Sequence, residues 1–180
     1  MAKKIVGSFK TKVRVPRPTV KLEDKKANQK AQRAVNQGMI KSSSYIKTTL
    51  SKAVESSLQS SSWNWPHETK RKNGSTAGVM RDIVDTGELL KKHYYHEVFL
   101  QTQTKIEVEV RSPYAMIVHN GGVIQPYGDP NLPAFVYPAR PWVKAAMLGT
   151  HGRPKPDFQA DISRAFAEAW KKAFPDGTVS

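Results

Sequence analysis

Between Ser112 and Met147 the chain reads SPYAMIVHNGG, then a Pro/Gly-rich stretch, then YPARPWVKAAM. No other segment limits the possible folds as much. Two short apolar helical patterns flank some fifteen residues that no regular helix accommodates. Gly121 and Gly122 close the first pattern, where a positive φ is cheap only without a Cβ. Pro138 and Pro141 bracket Ala139-Arg140 ahead of the second, and Pro141 suits the first helical position because its missing N–H has no partner there. A pinned turn, an aromatic anchor at Trp142 and one fixed arginine, Arg140, describe a docking surface rather than a catalytic cleft.

Charge is the second constraint. Of a net +14 over 180 residues, +12 falls within residues 1–52, which hold fourteen Lys/Arg against only Glu23 and Asp24. Such segregation implies a polyanionic neighbour, either nucleic acid or an acidic protein surface. Lys3, Lys4, Lys10, Lys12, Arg14 and Arg17 are the candidate contacts. The chain has no cysteine, which removes disulfides, zinc ribbons, iron–sulfur clusters and thiol nucleophiles together. No run approaches the roughly 18 apolar residues that span a bilayer, and the basic N-terminus lacks the apolar stretch of a signal peptide. Assembly in the cytosol, away from any membrane, is the expectation.

Along the chain, residues 1–22 alternate apolar and basic positions up to Pro16 and Pro18, which forbid a helix and disfavour a central strand, so the segment reads as an extended basic arm. From Glu23 to Ser60, apolar residues recur at three- and four-residue steps and predict a long one-sided helix, with a kink or break near Gly38 and Ser42–Ser44. Residues 61–78 read as a loop in which Trp63 and Trp65 supply core or subunit contacts. Asp85 or Thr86 caps a short helix beside Gly87, and Leu89 and Leu90 point inward. YYHEVFLQTQTKIEVEVRS predicts two strands joined through QTQTK, with Glu107 and Glu109 on a wet face. Phe158, Ile162, Phe166, Trp170 and Phe174 mark a C-terminal amphipathic helix. The expected fold is therefore α+β: a long N-terminal amphipathic helix packed on a small antiparallel sheet, with short helices and a C-terminal helix. The expected organisation is an arm over 1–22, a body over 23–150 and a helical extension over 151–180.

Catalytic signatures are weak throughout. His93 and His96 are three apart where helix passes into strand, and an odd spacing along a strand puts side chains on opposite faces, which spoils chelation. Ser112 has no nucleophile-elbow context. HNGG and NGSTAG lack the strand–GxxxxGK–helix setting of a phosphate loop. Neither a metal, a cofactor nor an enzymatic activity is expected.

One order of motifs resembles a known family. Asp85-Thr86-Gly87-Glu88-Leu89, then Tyr114-Ala115 through Gly121-Gly122, then Pro138-Ala139-Arg140-Pro141-Trp142 follow a long helix and enclose a β-hairpin. This is similar to the tail-completion and neck proteins of tailed bacteriophages, whose pattern carries Phe where Trp142 stands. The likeness covers roughly residues 24–148. It implies a non-enzymatic subunit of a ring, commonly six-fold, in the virion neck between head connector or stopper and tail tube or terminator, assembled in the host cytoplasm and lining the DNA passage. On that reading Tyr114, Arg140 and Trp142, with Trp63 and Trp65, are candidate subunit contacts, and Gly87, Gly121, Gly122, Pro138 and Pro141 form the turns. The rival reading is a free basic protein binding nucleic acid without sequence preference, since charge alone suffices for phosphate contact. A small hydrolase built around His119 or His151 is a third.

Overall fold

A computed structural model describes residues 8–65, 68–70, 74–83, 87–125, 129–151 and 153–177. In chain order the elements are β1 (Ser8–Pro16), α1 (Lys25–Leu58), β2 (Trp63–Asn64), β3 (Thr69–Lys70), β4 (Thr76–Ala77), β5 (Met80–Arg81), a 3-10 turn (Leu90–Lys92), β6 (His93–Phe99), β7 (Gln103–Arg111), α2 (Ala115–Asn120), β8 (Gly122–Ile124), β9 (Phe135–Tyr137), α3 (Trp142–Leu148) and α4 (Phe158–Ala173). The fold is α+β, with α1 packed against a small antiparallel sheet of order β1-β7-β6. The chain divides into two compact units that share the long elements. One holds the residues through Thr11, Lys52–Tyr94 and Glu109–Pro156; the other holds Lys12–Ser51, Tyr95–Val108 and the residues from Asp157 onward.

Within the expected arm, Ser8–Pro16 is an edge strand of the sheet. Val13 and Val15 turn inward between exposed Lys12, Arg14 and Pro16, the period-two pattern of a half-buried strand. Two prolines are compatible with this because β1 lies at the sheet edge and Pro16 ends it, leaving Pro18 beyond. The Arg17 N–H then donates to the Thr102 carbonyl at 2.9 Å. Lys3 and Lys4 lie outside the described residues. At the centre of the sheet, Ile106, Val108 and Val110 of β7 are fully buried. The β6–β7 turn closes through the Leu100 N–H on the Gln103 carbonyl at 2.8 Å, within the expected QTQTK connection. Glu109 is not on a wet face: only 9% exposed, it accepts from Arg111 Nη2 at 2.8 Å and lies 4.0 Å from Lys10 Nζ.

Helix α1 starts where Asp24 accepts the Ala27 N–H at 2.6 Å. Ala27, Ala31, Ala34, Val35, Met39, Ile46, Leu50, Val54 and Leu58 form its buried stripe. The expected break near Gly38 does not occur, and α1 runs unbroken for 34 residues. Gly38 serves close packing instead: a Cβ there would stand 2.5 Å from the Phe166 ring. The buried Ser42 hydroxyl donates to the Met39 carbonyl at 2.9 Å, while that of Ser43 lies 2.9 Å from the Ile40 carbonyl and 2.7 Å from Glu97 Oε2.

Helix α4 runs antiparallel to α1. Asp157 caps it through the Ala160 N–H at 2.9 Å. Thr49 donates to Asp161 at 2.6 Å, and Lys41 and Tyr45 both reach Glu168 Oε2 at 2.8 Å. The innermost row is Asp161, Ala165 and Ala169, while Phe158, Ile162, Phe166 and Trp170 are only half-buried. Both rows repeat at i+4, but the aromatic row is offset by one residue, about 100° around the helix, so it flanks the contact line. Small residues at that line let the two backbones approach.

The stretch expected as a loop contains the two-residue strands β2, β3 and β4, with Thr69 opposite Ala77 and Trp63 opposite Arg81 of β5 just beyond it. Asp85 and Thr86 lie outside the described residues. Gly87 has φ +72°, and Leu89 is buried beside the 3-10 turn.

Candidate functional site

The glycine pair and the proline-bracketed arginine are one device. Gly121 takes φ +73°, and a Cβ on it would stand 2.7 Å from the Ala139 nitrogen and 2.8 Å from the Tyr137 carbonyl. Only glycine lets the two backbones touch here. The Gly121 N–H closes α2 on the Ile117 carbonyl at 2.9 Å, and the Arg140 N–H donates to the Val118 carbonyl at 2.9 Å. Pro141 is not the first helical residue. Its φ of −77° and ψ of 64° make an inverse γ-turn, closed by the Trp142 N–H on the Arg140 carbonyl at 2.8 Å, and α3 begins at Trp142.

Arg140 is 1% exposed, its guanidinium carbon 3.6 Å from the Trp65 ring centroid and 4.5 Å from that of Tyr137. Its Nε donates to the Asn64 carbonyl at 3.2 Å. The two rings stand at 81° to each other, and the guanidinium sits in the corner they form, an aromatic setting that suits a delocalised, weakly hydrated cation. Arg140 thus ties the β2 segment to the PARP turn within its own chain.

Three of the five candidate subunit contacts are interior. Trp142 is fully buried and Trp63 is 2% exposed, so like Arg140 they face no neighbouring copy. The reason is satisfaction at home: Trp142 Nε1 donates to His93 Nε2 at 2.8 Å, and Trp63 Nε1 donates to the Ser57 carbonyl at 2.7 Å. Trp65 is half-buried against Arg140. Tyr114 remains at the surface, 39% exposed.

What the lock presents outward is the β8–β9 ribbon, with Val123 opposite Val136 and Ile124 opposite Phe135. Val123 is 68% exposed and Val136 72%, with Phe135, Leu132, Met116 and Tyr114 exposed around them. A shallow groove of about 540 Å³ runs beside the ribbon, lined by Pro113, Tyr114, Met116, Ile117, Val123 and Ile124 among others. Sequence reasoning missed this ribbon because GVI and FVY are three-residue strands inside a Pro/Gly-rich stretch, too short to establish a period. Of the basic candidates, Lys10, Lys12 and Arg14 are exposed along β1, while Arg17 donates to Asn36 Oδ1 at 2.6 Å.

His93 and His119 both pack edge-on to Trp142, with ring centroids 6.0 and 5.0 Å away. Burial pushes both imidazoles below their ordinary pKa, favouring the neutral ring that accepts the indole N–H. Below a pH of about 6.5 the unfolded chain therefore binds more protons than the folded one. Their contribution to stability is present above that pH and lost as pH falls through the folded-state pKa values. The melting temperature is expected to drop between pH 7.5 and 5, with a shallower drop in His93→Gln, which keeps an acceptor but does not titrate; thermal unfolding across that range checks it. Among the described residues no three His, Asp or Glu side chains converge as a metal site, and no described helix is long and apolar enough to cross a membrane.

No family model, no curated protein and no solved structure matches this chain.

Proposed function

We propose that this chain is a structural subunit of a tailed-bacteriophage neck, a tail-completion ring component that works by shape and contact rather than by catalysis. The observation that carries the reading is the β8–β9 ribbon: two short strands with apolar side chains facing water, anchored by an arginine lock. A two-stranded ribbon is marginal in water by itself, and clustered exposed apolar side chains mark an association surface. A copy of the chain, or an adjoining neck protein, covers Val123, Val136 and Phe135 in the assembled ring. The order of the DTGEL, YA…GG and PARPW segments supports the same assignment, because two of the three build the lock from which the ribbon projects.

The test combines localisation with a surface variant. Wild-type chain is expected in purified particles, at the head–tail junction when its C-terminus is labelled for electron microscopy. Val123→Lys with Val136→Lys is expected to keep its melting temperature, since both side chains are mostly exposed, yet to be missing from particles. Absence of the wild-type chain from mature particles overturns the assignment.

A further inference from the structure

We infer that the N-terminal half of α1, from Lys25 to Gln37, lies along the phosphate backbone of duplex DNA. Lys25, Lys26, Gln29, Lys30, Arg33, Asn36 and Gln37 are all exposed, and Lys26, Lys30, Arg33 and Gln37 share one helical face at i, i+4, i+7 and i+11. Helix α1 contains seven Lys/Arg and a single acid, Glu55, in its last turn. Among the described residues, Lys41 and Lys47 are paired with Glu168 and Glu97 at 2.8 and 3.4 Å, and Lys52 stands alone near the far end of the helix. Lys25, Lys26, Lys30 and Arg33 have no carboxylate within ion-pair distance among the described residues, and Asp24 spends its side chain on the Ala27 N–H.

This arrangement breaks two helix rules at once. Lys25 and Lys26 stand at the positive end of the helix dipole. Lys26–Lys30 and Lys30–Arg33 are like-charge neighbours at i+4 and i+3. Local rules are broken without compensation where a partner supplies what is missing, and here the missing element is a row of negative charge. The cations continue onto the end of α4, where Lys30 lies 5.1 Å from the Phe174 ring and Lys171 and Lys172 are exposed.

The choice of partner follows from what the face lacks. It carries no apolar side chain before Ile40, so it has no core for a protein–protein interface. It carries no exposed aromatic ring for stacking bases, as single-strand binders do. It does interleave amides with the cations, groups that donate to phosphate oxygens and sugar edges. The geometry supports contact without base reading. The inference does not depend on assembly into a ring, so failure of one reading leaves the other standing.

The experiment is a titration of full-length chain against a fluorescent 30-base-pair duplex at several salt concentrations. The wild type is expected to bind with affinity falling steeply with salt. The variant Lys26→Gln/Lys30→Gln/Arg33→Gln is expected to bind at least about tenfold more weakly near 0.1 M salt, with a log–log slope shallower by about 3, close to 0.9 per lost phosphate contact. Its circular dichroism and melting temperature should match or exceed the wild type, because like-charge repulsion is removed. The control Lys91→Gln/Lys92→Gln, which removes two cations elsewhere in the chain, should leave the slope unchanged. An unchanged slope in the triple variant overturns the inference, as does tighter binding to poly-glutamate or to a single strand of the same length.

Discussion

Trp142→Ala is expected to cost about 3–5 kcal/mol of folding stability, the range for emptying a fully buried aromatic site. Two effects add. The indole leaves a cavity against His93 and His119, and His93 Nε2 loses the donor it accepts from at 2.8 Å. With few domains exceeding about 15 kcal/mol in total, a loss of this size shows as a large shift in the urea midpoint. Trp142→Phe separates the effects. It keeps most of the apolar volume and removes only the N–H, so a loss of about 1–2 kcal/mol is expected. Equal losses in the two variants would show that the hydrogen bond, not the packing, dominates at this site.

Gly38→Ala reverses the sign that helix propensity alone would give. In an exposed helix interior this change gains up to about 1 kcal/mol. Here the added Cβ meets Phe166 Cδ1 at 2.5 Å and Cε1 at 2.7 Å, inside contact distance of a ring that packs on α1. Overpacking of this kind costs about 1–3 kcal/mol, so a net loss of about 1–2 kcal/mol is expected. The diagnostic is the double variant. With Phe166→Ala in place the clash is gone, and Gly38→Ala should then stabilise by its propensity gain. A double-mutant cycle by chemical denaturation would read a coupling of about 2–3 kcal/mol between the two positions. No coupling would mean that α4 does not approach α1 at Gly38.

Gly38 also marks where reading the sequence goes astray. A lone glycine followed by Ser42–Ser44 has the composition of a helix break, and the local signal for a kink is the same as for a close helix crossing. Only the partner's position distinguishes them, and Phe166 is 128 residues away in sequence. Trp142 poses the same difficulty in another form. An aromatic after a proline-bracketed arginine looks alike whether it faces a neighbouring subunit or its own core, and the deciding contact, His93, comes from another element. The β8–β9 ribbon was illegible for a third reason, since three residues per strand establish no period.

The sequence by itself determined the elements whose information is local: the buried stripe of α1, the β6–β7 hairpin and its turn, the Asp157-capped α4, and the glycine–proline punctuation of residues 112–147. These rest on periodicity, capping and φ preference, all properties of neighbours along the chain. Tertiary structure alone decided what each side chain faces. Pairing with β7 made residues 8–16 a sheet edge, contact with the Trp65 and Tyr137 rings held Arg140 in the interior, and the lock so formed left valines and a phenylalanine exposed on the ribbon. Burial depends on residues distant in sequence, and no pattern within one segment carries it.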